Sequence, residues 1–521
     1  MPTPVKVSVL EKLLANYEDK SFVISGFRHG FKVGYEGNHS SVFSSNAKTI
    51  VDNPLAAKEK LDAELKLGRI SGPFKNPPFK NFKSTPLALR QKTNGNYRLL
   101  HNLSFPYNDD SVNLCIDQKH VKVTYASVAD ATSIILSMPG CYLLKSDIKD
   151  AFRLLPIHPA DRHLLGFTFQ NKFYYDNCLP MGCSSACKLF SRFTDSILFI
   201  LKDKYKITKV VKYLDDFLFL GANKEDCIHA FNCFQEICNQ TGIPIALDKT
   251  HGPSRVLTFL GYHIDTRNMI VAIPQTKLDE YSILLEQTLS NSHITLRELR
   301  SLIGKLVFVT SIINVGRCFL RRLIDLKIGK KHPATKIPLN NSAKEDIDLW
   351  LNFFKRFNGK SFIMTKPKLS SFSLHCYTDS CKTGYAGVFG KKFIVGSFPS
   401  QWQKLDIKVL ELYPIFLLVK IFASKFANTS VVFHSDNETI VHVINSQTSK
   451  DKTIMKLLRP MILTFLNYNI SFTAMHIPGK LNILSDRLSR GQVSKIFLQR
   501  HGMDPVPVTV PMHLLPVNFQ I

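Results

Sequence analysis

KYLDDFLFLG, residues 212–221, sets Asp215 and Asp216 side by side between two short runs rich in β-branched and aromatic residues, Val210–Leu214 and Phe217–Leu220. Such runs on either side of a polar pair predict a β-hairpin with the carboxylates at its tip. Adjacent acids repel unless a cation neutralises them, and a donor set of oxygens alone suits magnesium better than zinc. On spacing alone a solvated turn reads equally well. A third acid changes the balance. Tyr142–Asp147 (YLLKSD) predicts an apolar strand that ends in Asp147. An acid there is better placed for a metal than for water.

The flanking sequence supplies the surroundings of that site. Asn53, Pro54 and AAKEKLDAELKL predict a helix that Asn53 caps and Gly68 ends. RISGPFKNPPFKNFKSTP, from Arg69, reads as an extended basic segment, either a surface linker or a nucleic-acid contact. Asn94-Gly95 is a hairpin signal between strand-like arms within residues 87–113, with Arg90, Lys92 and Arg98 on or near it. A helix from Ser184 to Lys202 is expected to bury Phe190, Phe193, Ile197 and Leu201. Thr295-Leu-Arg-Glu298 is a capping box that opens another helix. From Leu374 the pattern turns to strands, then a helix over Leu405–Ala423, the strand VVFHSD and further helices. Asp379 and Asp436 each follow an apolar strand there, and Glu411 lies mid-helix among Val409, Leu410 and Leu412. An acid in such company is costly unless it is paired or metal-bound. The tail after Arg490 gives no clear pattern.

Composition bears on partners. A chain of 521 residues has room for three or four domains, and 67 Lys and Arg against 41 Asp and Glu leave a net charge of +26. A polyanion is the expected partner. The 11 cysteines are scattered, and neither Cys183/Cys187 nor Cys233/Cys238 has zinc-knuckle spacing. Free thiols in an intracellular reducing compartment, cytoplasm or nucleus, fit best. MPTPVKVSVL is not a signal peptide and no run approaches 18 apolar residues, so no membrane partner is expected.

Read in order, SDIKDAF (146–152), LPMGCSSACKLF (179–190), YLDD (213–216) and FLGY (259–262) resemble the polymerase motifs of reverse transcriptases. YTDS (377–380), LELYPI (410–415), HSDN (434–437) and HIPGKLNILSDRLSR (476–490) resemble the acidic motifs of a ribonuclease H joined behind them. GRISGPF, YRLLHNLSFP, TLRELRSLIGKL and the LSR ending look most like the DIRS-type retrotransposon branch. The resemblance implies a right-hand polymerase of mixed α+β and α/β class. Its parts would be an N-terminal extension (1–85), fingers and palm (86–265), thumb and connection (266–370), a ribonuclease H-like domain (371–490) and a tail (491–521).

By the same resemblance Asp147 and Asp215 would bind two metals, with Asp216 the third acid and Ile148 lending its carbonyl. Phe152 would lie under the incoming sugar. Arg98, with Arg90 or Lys92, would hold the triphosphate, with Met181 and Gly182 near the nucleotide. Lys249 would donate a proton to pyrophosphate. Asp379, Glu411, Asp436 and Asp486 match the nuclease acids, and His476 the histidine that aids product release. Magnesium, with manganese as an alternative, would serve both sites. The partners would be RNA template, DNA primer, RNA–DNA hybrid and dNTPs.

Two features depart from the family pattern. Met181 stands where retroviral enzymes commonly carry glutamine, and Ser485 where alanine is usual. With no Asp-Thr/Ser-Gly protease signature and no recognisable integrase, the chain reads as a fragment, a processed product or a host gene derived from a retroelement. The expected function is copying of retroelement RNA into DNA, with removal of the RNA from the hybrid. The alternative is a domesticated, catalytically weak nucleic-acid-binding protein. An RNA-directed RNA polymerase is disfavoured by the bulk of Phe152.

Overall fold

The apolar runs of the first half of the chain are buried as sheets under helices, in a unit that ends at Met269; a second unit begins at Ile270. The structure, a computed structural model, describes residues 2–91, 95–107, 110–312, 314–357, 360–362, 373–468 and 470–519.

In the first unit, helix α1 (Pro54–Lys66) starts with proline in its first turn. Asn53 precedes it but makes no capping bond. Its amide instead donates to Thr49 O at 3.1 Å and its Oδ1 accepts from the Tyr97 hydroxyl at 3.2 Å. The residue expected as a cap thus ties the helix to a strand of the next hairpin. Ala57 and Leu61 of α1 pack with Ile70, Leu87, Leu89, Phe167 and Tyr174. These come from β1 (Ile70–Phe74), β2 (Leu87–Gln91), β5 (Gly166–Phe169) and β6 (Lys172–Asp176). Strand β6 lies between β1 and β5, while β2 pairs with β3 (Tyr97–His101) as the predicted hairpin. Asn94 and Lys92 lie outside the described residues. In the segment read as a linker, Phe82, Lys83, Ser84 and Thr85 are all buried, so its later half is core.

A four-stranded sheet carries the acids, in the order β7 (Val210–Tyr213), β8 (Asp216–Gly221), β4 (Tyr142–Asp147) and β9 (His251–Ser254). All its pairings are antiparallel. Phe217 and Phe219 of β8 have no solvent exposure, and each packs at a tilt against Phe234 of helix α3 (Lys224–Thr241). Full burial of such a side chain stabilises by about 1.5–3 kcal/mol, so the hairpin arms are held firmly. Helix α2 (Ala186–Tyr205) starts two residues later and ends three later than its pattern predicted. The four residues assigned to its buried face, Phe190, Phe193, Ile197 and Leu201, are all fully buried. Strands β10 (Val256–Phe259) and β11 (Tyr262–Asp265) form a further hairpin around FLGY.

In the second unit, α4 (Leu296–Thr310) opens with the predicted box: Thr295 N donates to Glu298 Oε2 at 2.9 Å and Glu298 N to Thr295 Oγ1 at 3.3 Å. Helix α5 (Asn341–Phe357) buries Trp350 completely. A five-stranded sheet follows, built from β12 (Leu374–Ser380), β13 (Gly384–Phe389), β14 (Lys392–Ser397), β15 (Ser430–Ser435) and β16 (Ser471–His476). Its order is β14-β13-β12-β15-β16, an antiparallel meander extended by two parallel strands. Parallel strands need crossovers, supplied here by α6 (Ile407–Phe426), α7 (Glu438–Ser446) and α8 (Lys452–Asn467).

Helix α6 begins at Ile407 because Asp406 caps it, accepting from Lys408 N at 2.9 Å. Every residue from Val409 to Val419 is buried, as expected of a helix apolar on all sides. The C-terminal tail, unreadable by pattern, covers this helix. Phe519 packs at a tilt against Phe416, ring centroids 5.1 Å apart, and the Tyr413 hydroxyl donates to Leu514 O. Among the described residues no helix is long and apolar enough to cross a membrane.

Candidate active sites

Hairpin geometry sets the first site. Asp147 pairs in register with Asp216 across β4 and β8, and Leu214 takes a left-handed φ of 54° in the turn that presents Asp215. Ile148 N donates to Asp215 O at 3.0 Å and Ala246 N to Asp147 O at 2.8 Å. The backbone at Asp147 is therefore clamped from both sides. One oxygen of its carboxylate accepts from Lys249 Nζ at 2.8 Å, while Oδ1 is buried and has no hydrogen-bond partner. Burial, and then the neighbouring Asp147, push the Asp215 carboxyl up to about 6. The same two causes raise Asp216. The hydrogen bond to Asp147 raises Lys249 in turn. Acids that burial and one another hold back from ionising, beside an orphaned carboxylate oxygen, fit an oxygen-bound divalent cation.

A cavity of about 460 Å³ opens beside them, lined among others by Asp147, Ile148, Asp215, Lys249, Arg98 and Met181. Five expected site residues are thus gathered with Asp215. Arg90 lies directly opposite Arg98 across the β2–β3 pair, both exposed, but does not line the cavity. Like charges facing each other on a hairpin are destabilising, and an anion relieves that strain. Phe152 is half-buried, meets Phe190 edge-on at 5.3 Å, and does not line the cavity either. Gly182 has a reason the sequence did not disclose. A Cβ there would come within 1.6 Å of the His101 carbonyl oxygen.

Sequence reasoning missed a network of charges beside this cavity. Arg153 donates to Glu64 Oε2 at 2.7 Å and to Asp176 Oδ1 at 2.7 Å, and Arg69 donates to Asp150 Oδ2 at 2.8 Å. Burial opposes ionisation of Asp176, but Arg153 and His101 outweigh it and hold the carboxyl below its usual value. The one signal was a lone arginine within the apolar run AFRLLPI, residues 151–157.

The second site lies at one end of the five-stranded sheet. Asp379, Glu411 and Asp436 each place a carboxylate oxygen within 4.8 Å of the others. Asp379 and Glu411 are both 5% exposed, and Glu411 Oε2 is buried without a partner. Burial first, then Asp379 and Asp436, push Glu411 up to about 9. Burial also raises Asp379, against the Ser489 hydroxyl, which donates to it at 2.6 Å. The Ser380 hydroxyl donates to Leu410 O at 2.9 Å, tying β12 to α6 beside both acids.

Asp486, in helix α9 (Ile483–Ser489), stands outside the trio and accepts from Arg490 Nε at 2.7 Å. His476 ends β16 opposite Ser435, next to Asp436 in the chain, and is exposed. The donor set is again all carboxylate, with one orphaned oxygen, and fits a hard divalent cation.

Comparison with known proteins adds to this geometry. Residues 91–264 match the family described as "Reverse transcriptase (RNA-dependent DNA polymerase)". The Gag-Pro-Pol polyprotein of Simian retrovirus SRV-2 is 22% identical over 299 residues, 55% of this chain and 15% of that protein. The Gag-Pol polyprotein of Rous sarcoma virus subgroup B (strain Schmidt-Ruppin) is 26% identical over 221 residues, 40% of this chain and 12% of that protein. The chain therefore spans less than a sixth of the length of either polyprotein.

Among solved structures, the foamy viral protease-reverse transcriptase in complex with RNA/DNA hybrid aligns at a TM-score of 0.53 and 14% identity. That alignment covers 90% of this chain and 63% of the other. Its dRH form with double-stranded DNA aligns at 0.51 and 15% identity, covering 91% and 82%. The chain has the mixed α/β, right-hand polymerase fold.

Proposed function

We propose, from the premise that residues 91–264 form a reverse transcriptase domain, that this chain is an RNA-directed DNA polymerase whose second unit cleaves the RNA of RNA–DNA hybrids. The observation that carries the reading is the first-unit cavity, where Asp147 and Asp215 share one space with Arg98. The motif order, with GRISGPF and the LSR ending, favours the DIRS-like branch of retrotransposons, whose RNA would be the template.

Asp147, Asp215 and Asp216 would hold magnesium or manganese, and Asp379, Glu411, Asp436 and Asp486 would do so in the nuclease. Divalent ions at such sites lower the pKa of the attacking hydroxyl or water and neutralise charge on the phosphate and leaving group. The chain's own residues supply the rest. Arg98 orients the triphosphate of a dNTP, and the clamped backbone at Asp147 fixes the carboxylates in advance. Lys249, held on Asp147, would keep an ammonium proton close to the leaving pyrophosphate. Phe152 would fill the space a 2′-hydroxyl needs.

A nucleic-acid duplex suits the net charge of +26. In the second unit a cavity of about 850 Å³ is lined by Arg321, Arg322, Lys450, Lys452, Lys456 and Arg459 among others. Such a surface holds phosphates with little sequence information.

The deciding experiment is primer extension on an RNA template with magnesium, run with dNTPs and with rNTPs, beside cleavage of a labelled hybrid. Extension with dNTPs alone, together with RNA cleavage, is the expected result. Binding without either reaction would favour the domesticated, catalytically weak protein.

A further inference from the structure

The charged side chains around the first-unit cavity that this chemistry leaves unused join into one continuous chain. It starts at Asp150, three residues beyond Asp147, which accepts from Arg69 at 2.8 Å. Arg69 also lies 3.6 Å from Glu64. Glu64 takes two donors from Arg153, Nε at 2.8 Å and Nη2 at 2.7 Å. The other arm of that guanidinium donates to Asp176 at 2.7 Å and to Cys178 O at 3.0 Å. Asp176 Oδ2 meets His101 Nδ1 at 2.9 Å, and His101 Nε2 meets Thr85 Oγ1 at 2.7 Å. His101 ends β3, three residues after Arg98. The path thus runs from the loop behind the Asp147 strand to the strand that carries Arg98.

Two observations argue that this is more than adhesion. The side chains of Arg153, Asp176 and His101 are only 14%, 6% and 4% exposed. Burying charges is costly, and apolar residues would bind the same elements together more cheaply. What a forked guanidinium between two carboxylates adds is a fixed distance and orientation. The ends of the path are also constrained independently. Asp150 sits at a left-handed φ of 60°, a conformation its surroundings must enforce. The His101 carbonyl is seated against Gly182, beside the cavity-lining Pro180 and Met181.

We propose that Arg153 is a positioning residue, the centre of a buried Glu64–Arg153–Asp176–His101 relay that fixes the spacing between Arg98 and the Asp147–Asp215 pair. It thereby sets how tightly the triphosphate of the incoming nucleotide is held. The proposal rests on the polymerase reading above and goes beyond it: Arg153 lines the same cavity, but its guanidinium nitrogens are all taken up by Glu64, Asp176 and the carbonyls of Cys178 and Arg69, so its part is to hold the frame.

The test is steady-state dNTP incorporation on an RNA template by the full chain and by Arg153→Lys, which keeps the charge but cannot fork to both acids. Asp176→Asn, nearly isosteric, is the second variant. Each is made with and without Arg98→Ala. In the parent, Arg98→Ala should raise KM for dNTP tenfold or more. Arg153→Lys should raise KM tenfold with kcat within about threefold and template–primer affinity unchanged. In that background Arg98→Ala should add less than threefold, because Arg98 is already displaced.

An unchanged KM, or a full Arg98→Ala effect in both relay variants, overturns the proposal. So does failure of both variants to fold, since the network would then be a structural staple. A parent that extends no primer at all refutes the polymerase reading instead.

Discussion

Two acid clusters occupy the two units, and they meet the same electrostatic problem differently. The first carries its own counter-ion, since Lys249 sits on Asp147 at 2.8 Å. Among the described residues the second has no ion-paired cation on its buried Asp379–Glu411 pair, and Glu411 is driven up to about 9. In the first cluster Asp147 is therefore ion-paired without metal, while burial still raises Asp215 and Asp216. In the second, burial and the neighbouring acids favour a proton kept on Glu411, which a bound cation would have to displace. Two all-carboxylate sites thus differ in what their metal-free state costs the fold.

The sharpest way to break this comparison is to disable one site at a time. Asp215→Asn should reduce polymerisation about 10²-fold or more, at least 2.7 kcal/mol of transition-state stabilisation, and leave hybrid cleavage nearly intact. Asp436→Asn should do the reverse. Primer extension and hybrid cleavage on the same purified variants, with melting as a control, decide it. If Asp215→Asn lost both activities while melting normally, the clusters would share one obligatory state.

A smaller effect sharpens the contrast, because on the proposed reading only the first site must choose a sugar. Phe152→Ala should weaken discrimination against rNTPs about tenfold, or about 1.4 kcal/mol, with cleavage untouched. Equal rNTP incorporation by variant and parent would make Phe152 a packing residue, as its edge-on contact with Phe190 also allows.

Next comes stability. Unfolded, Glu411 gives up its proton near the ordinary 4.5; folded and metal-free, it keeps it to about 9. The folded chain binds more protons across that window, so its stability is full below it and falls as pH rises through it. With chelator present, melting of the second unit should drop between about pH 5 and 9, and Glu411→Gln should flatten the slope. Magnesium should restore more stability at pH 8 than at pH 5. A flat profile in the parent would remove the distinction drawn between the two sites.

The smallest effect is common to both sites. Hybrid binding should weaken steeply with salt, with a log–log slope of several phosphate contacts. Charge reversal at Lys452 and Lys456 should lower that slope by about one to two. An unchanged slope would assign the basic groove of the second unit another partner.

Much of this was legible because it is local. The hairpin of Asp215, the capping box at Thr295 and the buried stripe of α2 depend on neighbours within a few residues. The network through Arg153 was not legible, since Glu64, Asp176 and His101 are brought to it only by the fold. Asn53 misled for a related reason: its side chain found tertiary partners in Tyr97 and Thr49 in place of the helix end. Gly182 has a further reason to be glycine that the sequence could not show, the His101 carbonyl packed against it. The tail hid because its anchors, Leu514 and Phe519, are too sparse to make a period.

Helix α6 has a consequence for exchange kinetics. Its run from Val409 to Val419 is sealed on every side, so amide protons around Glu411 should exchange only when the whole unit opens. Of the trio only Asp436 is exposed, with Gly479 beside it so close that a Cβ there would lie 3.4 Å from its carboxylate. An ion held by the trio would have to enter and leave across that rim, so its exchange should follow the loop around Gly479 and not the slower opening of the core that holds Glu411.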